Sequence, residues 1–350
     1  MSPTSPVVAP TMPRAPVPAY DDLRTARFEA LRVTTLGGRP AADAATIDVA
    51  VLDMNHRAPN VGHDAIVAIV RDAALEAEAE LARAGRRVRV LSYPVRDALV
   101  VPAHDGRHAL YLGTGGPGHL DPRRNTTDRG MEEIAEDPSW ETPLFRLFDD
   151  VLADPSAALY AVCHSFGLLC RWSHVAEPRL RDAAKGGKTS GVGTNLLTPA
   201  AIRHPWFAKM YDDVDGAAIA VLDSRYYDLI PAEGILPDGM SPIAFETDAR
   251  GRRGEALTML ELARDRDGAT PRIFGVNSHP EITAPERVQA LLQRLLDRGA
   301  IDVATFKDRI RVLPALRDDR REERLLAGRY VFGDLVRDRL ARLARRPPAA

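Results

Sequence analysis

The first half of the chain alternates short apolar runs with amphipathic stretches, and this alternation constrains the fold more than any other feature. Four apolar runs are each long enough for one buried strand, at residues 47–53, 88–93, 109–113 and 159–163. Stretches with helical periodicity follow some of them, at residues 61–85, 144–152 and 166–172, and Gly85 is suited to end the first. This β-α-β order predicts a mostly parallel central sheet with helices on both faces.

Beyond about Gly191 the pattern changes to consecutive strands. Strand candidates separated by turn residues lie at residues 217–222, 241–247, 257–262 and 272–276. Because no helices separate them, they predict an antiparallel extension of the sheet. An amphipathic helix follows at residues 285–298, and a charged helical segment rich in Arg and Leu continues from 302 to 344.

The expected organisation is one large α/β domain with short additions at both ends. Residues 1–20 are rich in Pro, Ala, Ser and Thr and lack the features of a secretory signal, so we predict a disordered leader there. Residues 21–300 form the predicted domain. Residues 301–350 are predicted to form a C-terminal helical appendage with a short disordered tail, which packs on the core or on a partner.

The composition excludes several classes of protein. A formal net charge of −2 gives no electrostatic basis for binding nucleic acid or an anionic membrane. No apolar run is long enough to span a bilayer. The two cysteines, Cys163 and Cys170, cannot build a disulfide framework, and no closely spaced residues offer a zinc site. We therefore expect a cytoplasmic protein with reduced thiols and without a metal or other cofactor.

Cys163 is the most informative single residue. An apolar run ends at this cysteine, and helix-compatible residues follow at once, which is typical of a nucleophile elbow. A helix that begins directly after Cys163 would stabilise a thiolate with its N-terminal amides and dipole. The alternative is a small core residue at a strand end, which is the commoner role of a buried cysteine. Cys170 lies inside the following helix and is interpreted as a packing residue.

Two further segments supply the other groups that acyl-transfer chemistry needs. His279 follows the strand candidate at 272–276, and Glu281 lies two residues on, where it could orient the imidazole. The glycine-rich run at residues 113–118 follows an earlier strand, and its free N–H groups, with that of His164, could form an oxyanion hole. Taken singly, these segments are equally compatible with a solvated loop histidine and a tight turn.

The order of these three segments resembles the class I (triad) glutamine amidotransferase superfamily, over roughly residues 47–298. Members have a flavodoxin-like three-layer fold and use a cysteine nucleophile with a His-x-Glu pair. The resemblance implies that Cys163 is the nucleophile, His279 the base and Glu281 the orienting carboxylate, with Gly115, Gly116 and His164 at the oxyanion hole. The superfamily implies a small-molecule substrate, glutamine or a γ-glutamyl or acyl compound.

The sequence departs from the family pattern at the elbow. Where the family reads Gly-x-Cys-x-Gly-x-Gln, this chain has Ala161, Ser165 and Gly167 at the two glycines and the glutamine. In family members that glutamine helps to bind the substrate glutamine. The stretch from His119 to Trp140 is also longer than usual, and its polar residues suit a lid or a partner surface; they include Arg123, Arg124, Asn125 and Asp128.

A second resemblance, to homoserine O-succinyltransferases of the same fold, rests on residues 188–192 and 223–228. Under either resemblance Ser224, Arg225 and Tyr226 are candidates for substrate contact, and the alternative is a turn at a strand end. The primary hypothesis is an amidotransferase-like enzyme that cleaves an amide through a thioester. Because no synthetase domain is evident, ammonia would go to a separate partner protein. The alternatives are an acyltransferase with the same triad and a catalytically silent binding protein.

Overall fold

The structure, a computed structural model, describes most of the chain. The described residues are 23–56, 61–125, 134–181, 187–189, 191–213, 216–232, 236–237, 239–282, 285–297, 299, 301–310 and 328–346. The predicted leader at residues 1–20 lies outside them, as do Asp128 and Ser190. None of the described helices is long and apolar enough to cross a membrane.

Twelve strands are present in the described residues. They are β1 (Phe28–Arg32), β2 (Thr46–Asp53), β3 (Arg87–Pro94), β4 (His108–Gly113), β5 (Ala158–Val162), β6 (Ala176–Leu180), β7 (Gly191–Leu197), β8 (Ala218–Asp223), β9 (Tyr227–Pro231), β10 (Ser241–Thr247), β11 (Arg253–Arg264) and β12 (Pro271–Val276). All the strands predicted from apolar runs are among them.

The helices fill the connections between the strands and the C-terminal region. They are α1 (Val61–Glu76), α2 (Glu78–Arg83), α3 (Val95–Ala98), α4 (Glu141–Ala153), α5 (His164–Trp172), α6 (Pro199–Ile202), α7 (Ala208–Asp213), α8 (Pro285–Asp297), α9 (Val303–Ile310) and α10 (Asp334–Arg345). The single helix predicted over 61–85 is divided at Ala77, and Gly85 follows with a positive φ of 64°.

Ten of the strands form one sheet in the order β1-β3-β2-β4-β5-β12-β11-β10-β7-β8, and β6 pairs with β9 in a second sheet. The pairs from β1 to β12 are parallel, and the pairs from β12 to β8 are antiparallel. Within the parallel part, β3-β2-β4-β5-β12 reproduces the 2-1-3-4-5 order of flavodoxin-like folds. The predicted fold class, a mostly parallel sheet with an antiparallel extension and C-terminal helices, is therefore confirmed.

Four strands were not indicated by the apolar runs: β1, β6, β7 and β9. β1 alternates buried Phe28 and Ala30 with more exposed neighbours, so it has no continuous apolar run. It adds to the edge of the sheet beside β3. β6 contains Pro178 and two charged residues, a composition that suits the short two-stranded ribbon it forms with β9.

The core consists of two large clusters of buried side chains. One includes residues of α1, β2 and β3 together with Leu335, Leu340 and Leu343 of α10, so the C-terminal helix is packed into the same core as α1. The other includes residues of α4, α5 and the opposite side of the same strands. Helices cover both faces of the sheet, so its strands are buried on both faces. This packing holds the carboxyl ends of β4, β5 and β12 in fixed relative positions.

Candidate active site

Three loops meet at one edge of the sheet. β5 lies between β4 and β12, and all three strands are parallel, with Gly113 paired to Ala161 and Val162 paired to Val276. The residues that follow these strands therefore leave the sheet side by side. They are the glycine-rich loop after β4, Cys163 after β5, and the segment that contains His279 after β12.

Cys163 has a backbone conformation that side-chain-bearing residues rarely adopt. Its φ is 51° and its ψ is −105°, between the last residue of β5 and the first residue of α5. Its N–H donates to the Val276 carbonyl at 2.8 Å, and its carbonyl accepts from the Gly167 N–H at 2.9 Å. Such strain costs about 1–3 kcal/mol and persists only when the surroundings fix it. The sharp turn lifts the half-buried thiol out of the line of the strand.

His279 is held from both sides. Its Nδ1 lies 2.8 Å from Oε1 of Glu281, whose side chain is fully buried. Its backbone N–H donates to the Leu222 carbonyl at the end of β8 at 2.8 Å. The imidazole is within side-chain hydrogen-bonding reach of Cys163. Since Nδ1 faces Glu281, Nε2 is the nitrogen left for the thiol.

The electrostatics of this group favour a protonated imidazole. Burial by itself lowers the pKa of His279, but the carboxylate of Glu281 and the negative charge available to Cys163 oppose burial and outweigh it. The pKa of His279 is consequently raised well above its ordinary value. A cation is therefore stabilised directly beside the Cys163 side chain.

The glycine-rich loop approaches this pair closely. A Cβ placed on Gly115 would lie 3.1 Å from Cε1 of His279 and 3.8 Å from Sγ of Cys163. A Cβ on Gly116 would overlap the carbonyl oxygen of Met54 and lie 2.9 Å from its carbonyl carbon. Glycine is thus required for the backbone to pass between Met54 and the site.

Three backbone donors lie in these segments. The N–H groups of Gly115, Gly116 and His164 have no hydrogen-bond partner within the part of the chain that the structure describes. His164 is the first residue of α5, where helical N–H groups have no partner inside the helix. Free amides beside a thiol are what an oxyanion hole requires.

Two side chains to which the sequence analysis gave no role hold the loop: Ser165 joins it to the elbow, and Thr114 joins it to the residue after β2. The hydroxyl of Ser165 donates to the Thr114 carbonyl at 2.6 Å, and the Ser165 N–H reaches the same oxygen at 3.3 Å. The hydroxyl of Thr114 donates to the Gly115 carbonyl at 2.8 Å and accepts from the Met54 N–H at 2.9 Å. The available signal was the serine at a position where the family has glycine.

The place of the missing family glutamine is filled by another residue. A Cβ on Gly167 would lie 2.5 Å from both methyl carbons of Leu120, which comes from the stretch after the glycine-rich loop. Leu120 is itself buried. Leu120 can therefore pack in this position only because residue 167 has no side chain.

The described part of the stretch from 119 to 140 is tied to the glycine-rich loop. Glu136 forms a fully buried ion pair with Arg96 and accepts from the Asn125 amide at 2.6 Å. Arg96 in turn donates to the carbonyls of Met54 and Pro117, at 2.9 and 2.6 Å. These residues support the loop from beneath. The exposed Arg123 pairs with the buried Glu141 at 2.9 Å.

The three predicted substrate residues have different environments. Ser224 and Tyr226 are exposed, and the Tyr226 ring lies 5.0 Å from the Lys188 ammonium. Arg225 is buried in an ion cluster and pairs with Asp223, Asp228 and Glu246. Within the described residues, no hydrogen bond or ion pair joins these three side chains to the Cys163–His279–Glu281 group. The link between the two regions is the Leu222 carbonyl, one residue before Asp223.

Cys170 and His164, both in α5, are deeply buried. Burial raises the pKa of Cys170 well above its ordinary value, as expected of a packing residue. Burial, with the nearby charges of Arg96 and His119, lowers the pKa of His164 well below the ordinary value, so this imidazole is neutral. Among the described residues, no group of three or more His, Cys, Asp or Glu side chains could hold a metal ion.

Comparisons with known proteins concern the fold. No protein-family model matches the chain, and no curated protein matches it. A glutamine amidotransferase from Thermotoga maritima has 12% sequence identity over 86% of this chain and 99% of its own, with a TM-score of 0.45. The glutaminase domain of Trypanosoma brucei CTPS, with bound acivicin, has 12% identity over 73% of this chain and 95% of its own, also with a TM-score of 0.45.

Proposed function

We propose that this protein is an amidotransferase-like enzyme that cleaves an amide through a thioester on Cys163. The observation that carries the proposal is the strained elbow at Cys163, with φ of 51° and ψ of −105°, beside an imidazole bonded to a buried carboxylate. A non-glycine residue is held in such a conformation at a cost, and strain of this kind concentrates at functional sites. The substrate class proposed is glutamine or a γ-glutamyl compound.

In the acylation step, the thiolate of Cys163 attacks the amide carbonyl and a carbon–sulfur bond forms. The N–H groups of Gly116 and His164 stabilise the negative charge that develops on the carbonyl oxygen, with Gly115 beside them. The imidazolium of His279 then gives its proton to the departing nitrogen, and ammonia leaves as the carbon–nitrogen bond breaks. Glu281 holds the imidazole in the required orientation and stabilises its charge.

In the deacylation step, His279 acts as a general base. It takes a proton from water, the resulting hydroxide attacks the thioester, and the carboxylic acid product leaves Cys163 free again. The ammonia would pass to a separate synthetase partner, which binds this protein as its source of nitrogen.

One observation favours a second candidate function, acyl transfer to a hydroxyl. Gly167 offers no side chain to a substrate glutamine, and Leu120 occupies the adjoining space. An apolar residue there suits an acyl chain at least as well as a glutamine. In that reaction the same thioester forms, and an acceptor hydroxyl replaces water in the second step.

The test is covalent labelling with a diazo-ketone analogue of glutamine, followed by intact-mass spectrometry. We expect one equivalent of label on the wild-type chain and none on Cys163→Ser. Cys170 remains in that variant, so it also reports any labelling of the buried thiol. Iodoacetamide serves as a plain alkylating reagent in a parallel reaction, because it needs a thiolate but no glutamine pocket.

The outcomes separate the candidates. Labelling of Cys163 by both reagents supports the amidotransferase proposal. Labelling by iodoacetamide alone supports a reactive nucleophile and favours acyl transfer. Absence of labelling by either reagent contradicts an activated thiol and leaves a binding protein of this fold.

A further inference from the structure

We propose that Ser165 is a positioning residue that fixes the direction of the oxyanion-hole amides through the carbonyl of Thr114. The inference rests on the proposed function of Cys163. It goes beyond that function because it assigns a role to a residue two positions after the nucleophile, at the place where the family pattern has glycine.

The contact joins the two segments that must act together. Ser165 lies in the first turn of α5, and its side chain is buried. Its hydroxyl donates to the Thr114 carbonyl at 2.6 Å, and its backbone N–H approaches the same oxygen at 3.3 Å. Helix α5 is therefore hydrogen-bonded to the glycine-rich loop through the carbonyl of Thr114, the first residue after β4.

Because the peptide bond is planar, these hydrogen bonds to the Thr114 carbonyl also fix the direction of the Gly115 N–H. The Thr114 carbonyl and the Gly115 N–H belong to one trans peptide plane and point in opposite directions. When the carbonyl is fixed, the direction of the Gly115 N–H is fixed as well. The hydroxyl of Thr114 acts in the same way on the next plane, because it donates to the Gly115 carbonyl at 2.8 Å and so orients the Gly116 N–H.

The contact matters because Ser165 holds the Thr114 carbonyl, whereas Arg96 holds the loop further along, at the Pro117 carbonyl. Consecutive glycines give its backbone more freedom than any other residues would. On the β2 side the Thr114 N–H donates to Leu52, and its hydroxyl accepts from the Met54 N–H. On the elbow side, the hydrogen bonds among the described residues that hold this carbonyl both come from Ser165.

The sequence makes room for the serine at Gly113. A Cβ on Gly113 would lie 2.5 Å from Cβ and 2.6 Å from Oγ of Ser165, closer than real side chains approach. Glycine at 113 thus leaves room for the serine that stands where the family pattern has glycine. This arrangement places a hydroxyl between the two segments.

The experiment compares two reactions of Cys163. p-Nitrophenyl acetate acylates a thiolate through a tetrahedral intermediate, with release of p-nitrophenolate, and so depends on the oxyanion hole. Iodoacetamide alkylates the same thiolate by displacing iodide, and no oxyanion forms. We expect Ser165→Ala to lower the rate constant of the Cys163-dependent acylation burst by about 10- to 100-fold, because a small misplacement of a catalytic group has effects of that size. Alkylation should stay within about twofold of the wild type, since the thiolate itself is unaffected.

The matched control is Ser173→Ala. The Ser173 hydroxyl also donates to a main-chain carbonyl, that of Leu169 at 2.8 Å, but it follows the other end of α5. This variant should leave both rates unchanged. Cys163→Ser supplies the background for both reactions.

A double variant distinguishes the hydroxyl from mere packing. Gly113→Ala alone should destabilise the fold, and Ser165→Gly should relieve the overlap, so Gly113→Ala/Ser165→Gly should unfold near the wild-type midpoint. It still lacks the hydroxyl, so its acylation should stay low. Recovery of acylation in this variant, or an unchanged burst in Ser165→Ala, overturns the role of Ser165 alone. A wild-type chain without a Cys163-dependent burst overturns the proposed function, and this inference with it.

Discussion

At the scale of single residues, the candidate site combines backbone strain with an electrostatic pair. Cys163 is held at a positive φ, and His279 is placed between its thiol and the buried Glu281. The pKa of His279 is raised, so its charged form stabilises the fold below the ordinary histidine pKa, and this stabilisation is lost as pH rises through the raised value. The His279–Glu281 pair thus contributes to stability on the acid side of that transition.

The variant Glu281→Gln tests this pair. Removal of the carboxylate should lower the pKa of His279, measured by NMR titration of its ring proton, because Glu281 opposes the effect of burial. Alkylation of Cys163 by iodoacetamide at neutral pH should then slow, because a smaller fraction of the neighbouring imidazole is charged. Glu78→Gln, an exposed change on α2, is the control. An unchanged His279 titration would contradict the assigned pairing.

At the scale of elements, the site is a property of three adjacent strands and the loops that leave them. The loop after β4 is supported on one side by Arg96, which donates to the carbonyls of Met54 and Pro117, and on the other by Ser165. The loop can pass this close to Met54 because Gly116 has no side chain. The position of the amides therefore depends on the backbone of β2 as well as on the loop itself.

Gly116→Ala should displace the loop. The new Cβ would overlap the carbonyl group of Met54. The carbon and oxygen of that group are backbone atoms, which cannot turn aside as a side chain can. We expect the rate constant of the acylation burst with p-nitrophenyl acetate to fall by about 100-fold or more, which is the effect of losing one oxyanion donor. Gly37→Ala, where a Cβ meets nothing within 4 Å, should leave the burst unchanged. A normal burst in Gly116→Ala would exclude this loop from the oxyanion hole.

At the scale of the whole molecule, the two faces of the sheet are covered by different parts of the chain. α10 packs with α1 and the strands of the parallel part, and Arg342 of α10 pairs with Asp267 in the turn between β11 and β12. That pairing holds the pKa of Asp267 down, at about 2. The C-terminal helix therefore connects the parallel half of the sheet to the hairpin that leads to His279.

Leu340→Ala tests how far the fold depends on α10. The Leu340 side chain is 1% exposed within the core shared with α1. Its truncation should lower the free energy of unfolding by about 2–5 kcal/mol, measured by urea denaturation. Leu75→Ala, at a leucine of α1 that is 39% exposed, should change it by about 0.5 kcal/mol or less. Equal effects of the two variants would show that α10 adds little to the core.

Local patterns determined the parallel sheet and the three segments of the candidate site. Apolar runs and helical periodicity are properties of neighbouring residues, so they predicted eight of the strands and the helices α1, α4 and α5. The rule that parallel strands present their carboxyl ends at one edge then placed Cys163, His279 and the glycine-rich loop together. The edge strand β1, the ribbon of β6 and β9, and β7 escaped prediction, because none of them contains a continuous apolar run of strand length.

Contacts between distant segments were decided by the tertiary structure. The bond from Ser165 to Thr114, the support of the loop by Arg96 and Glu136, and the packing of Leu120 against Gly167 each join residues that no local period relates. Arg225 was a candidate for substrate contact from its sequence, yet its charge is used in a buried cluster with Asp223, Asp228 and Glu246. The amino-acid sequence by itself determined which chemical groups reach the edge of the sheet. The packing of loops against one another decided which of those groups are free and how the backbone amides are oriented, because that depends on shapes that meet only after the chain has folded.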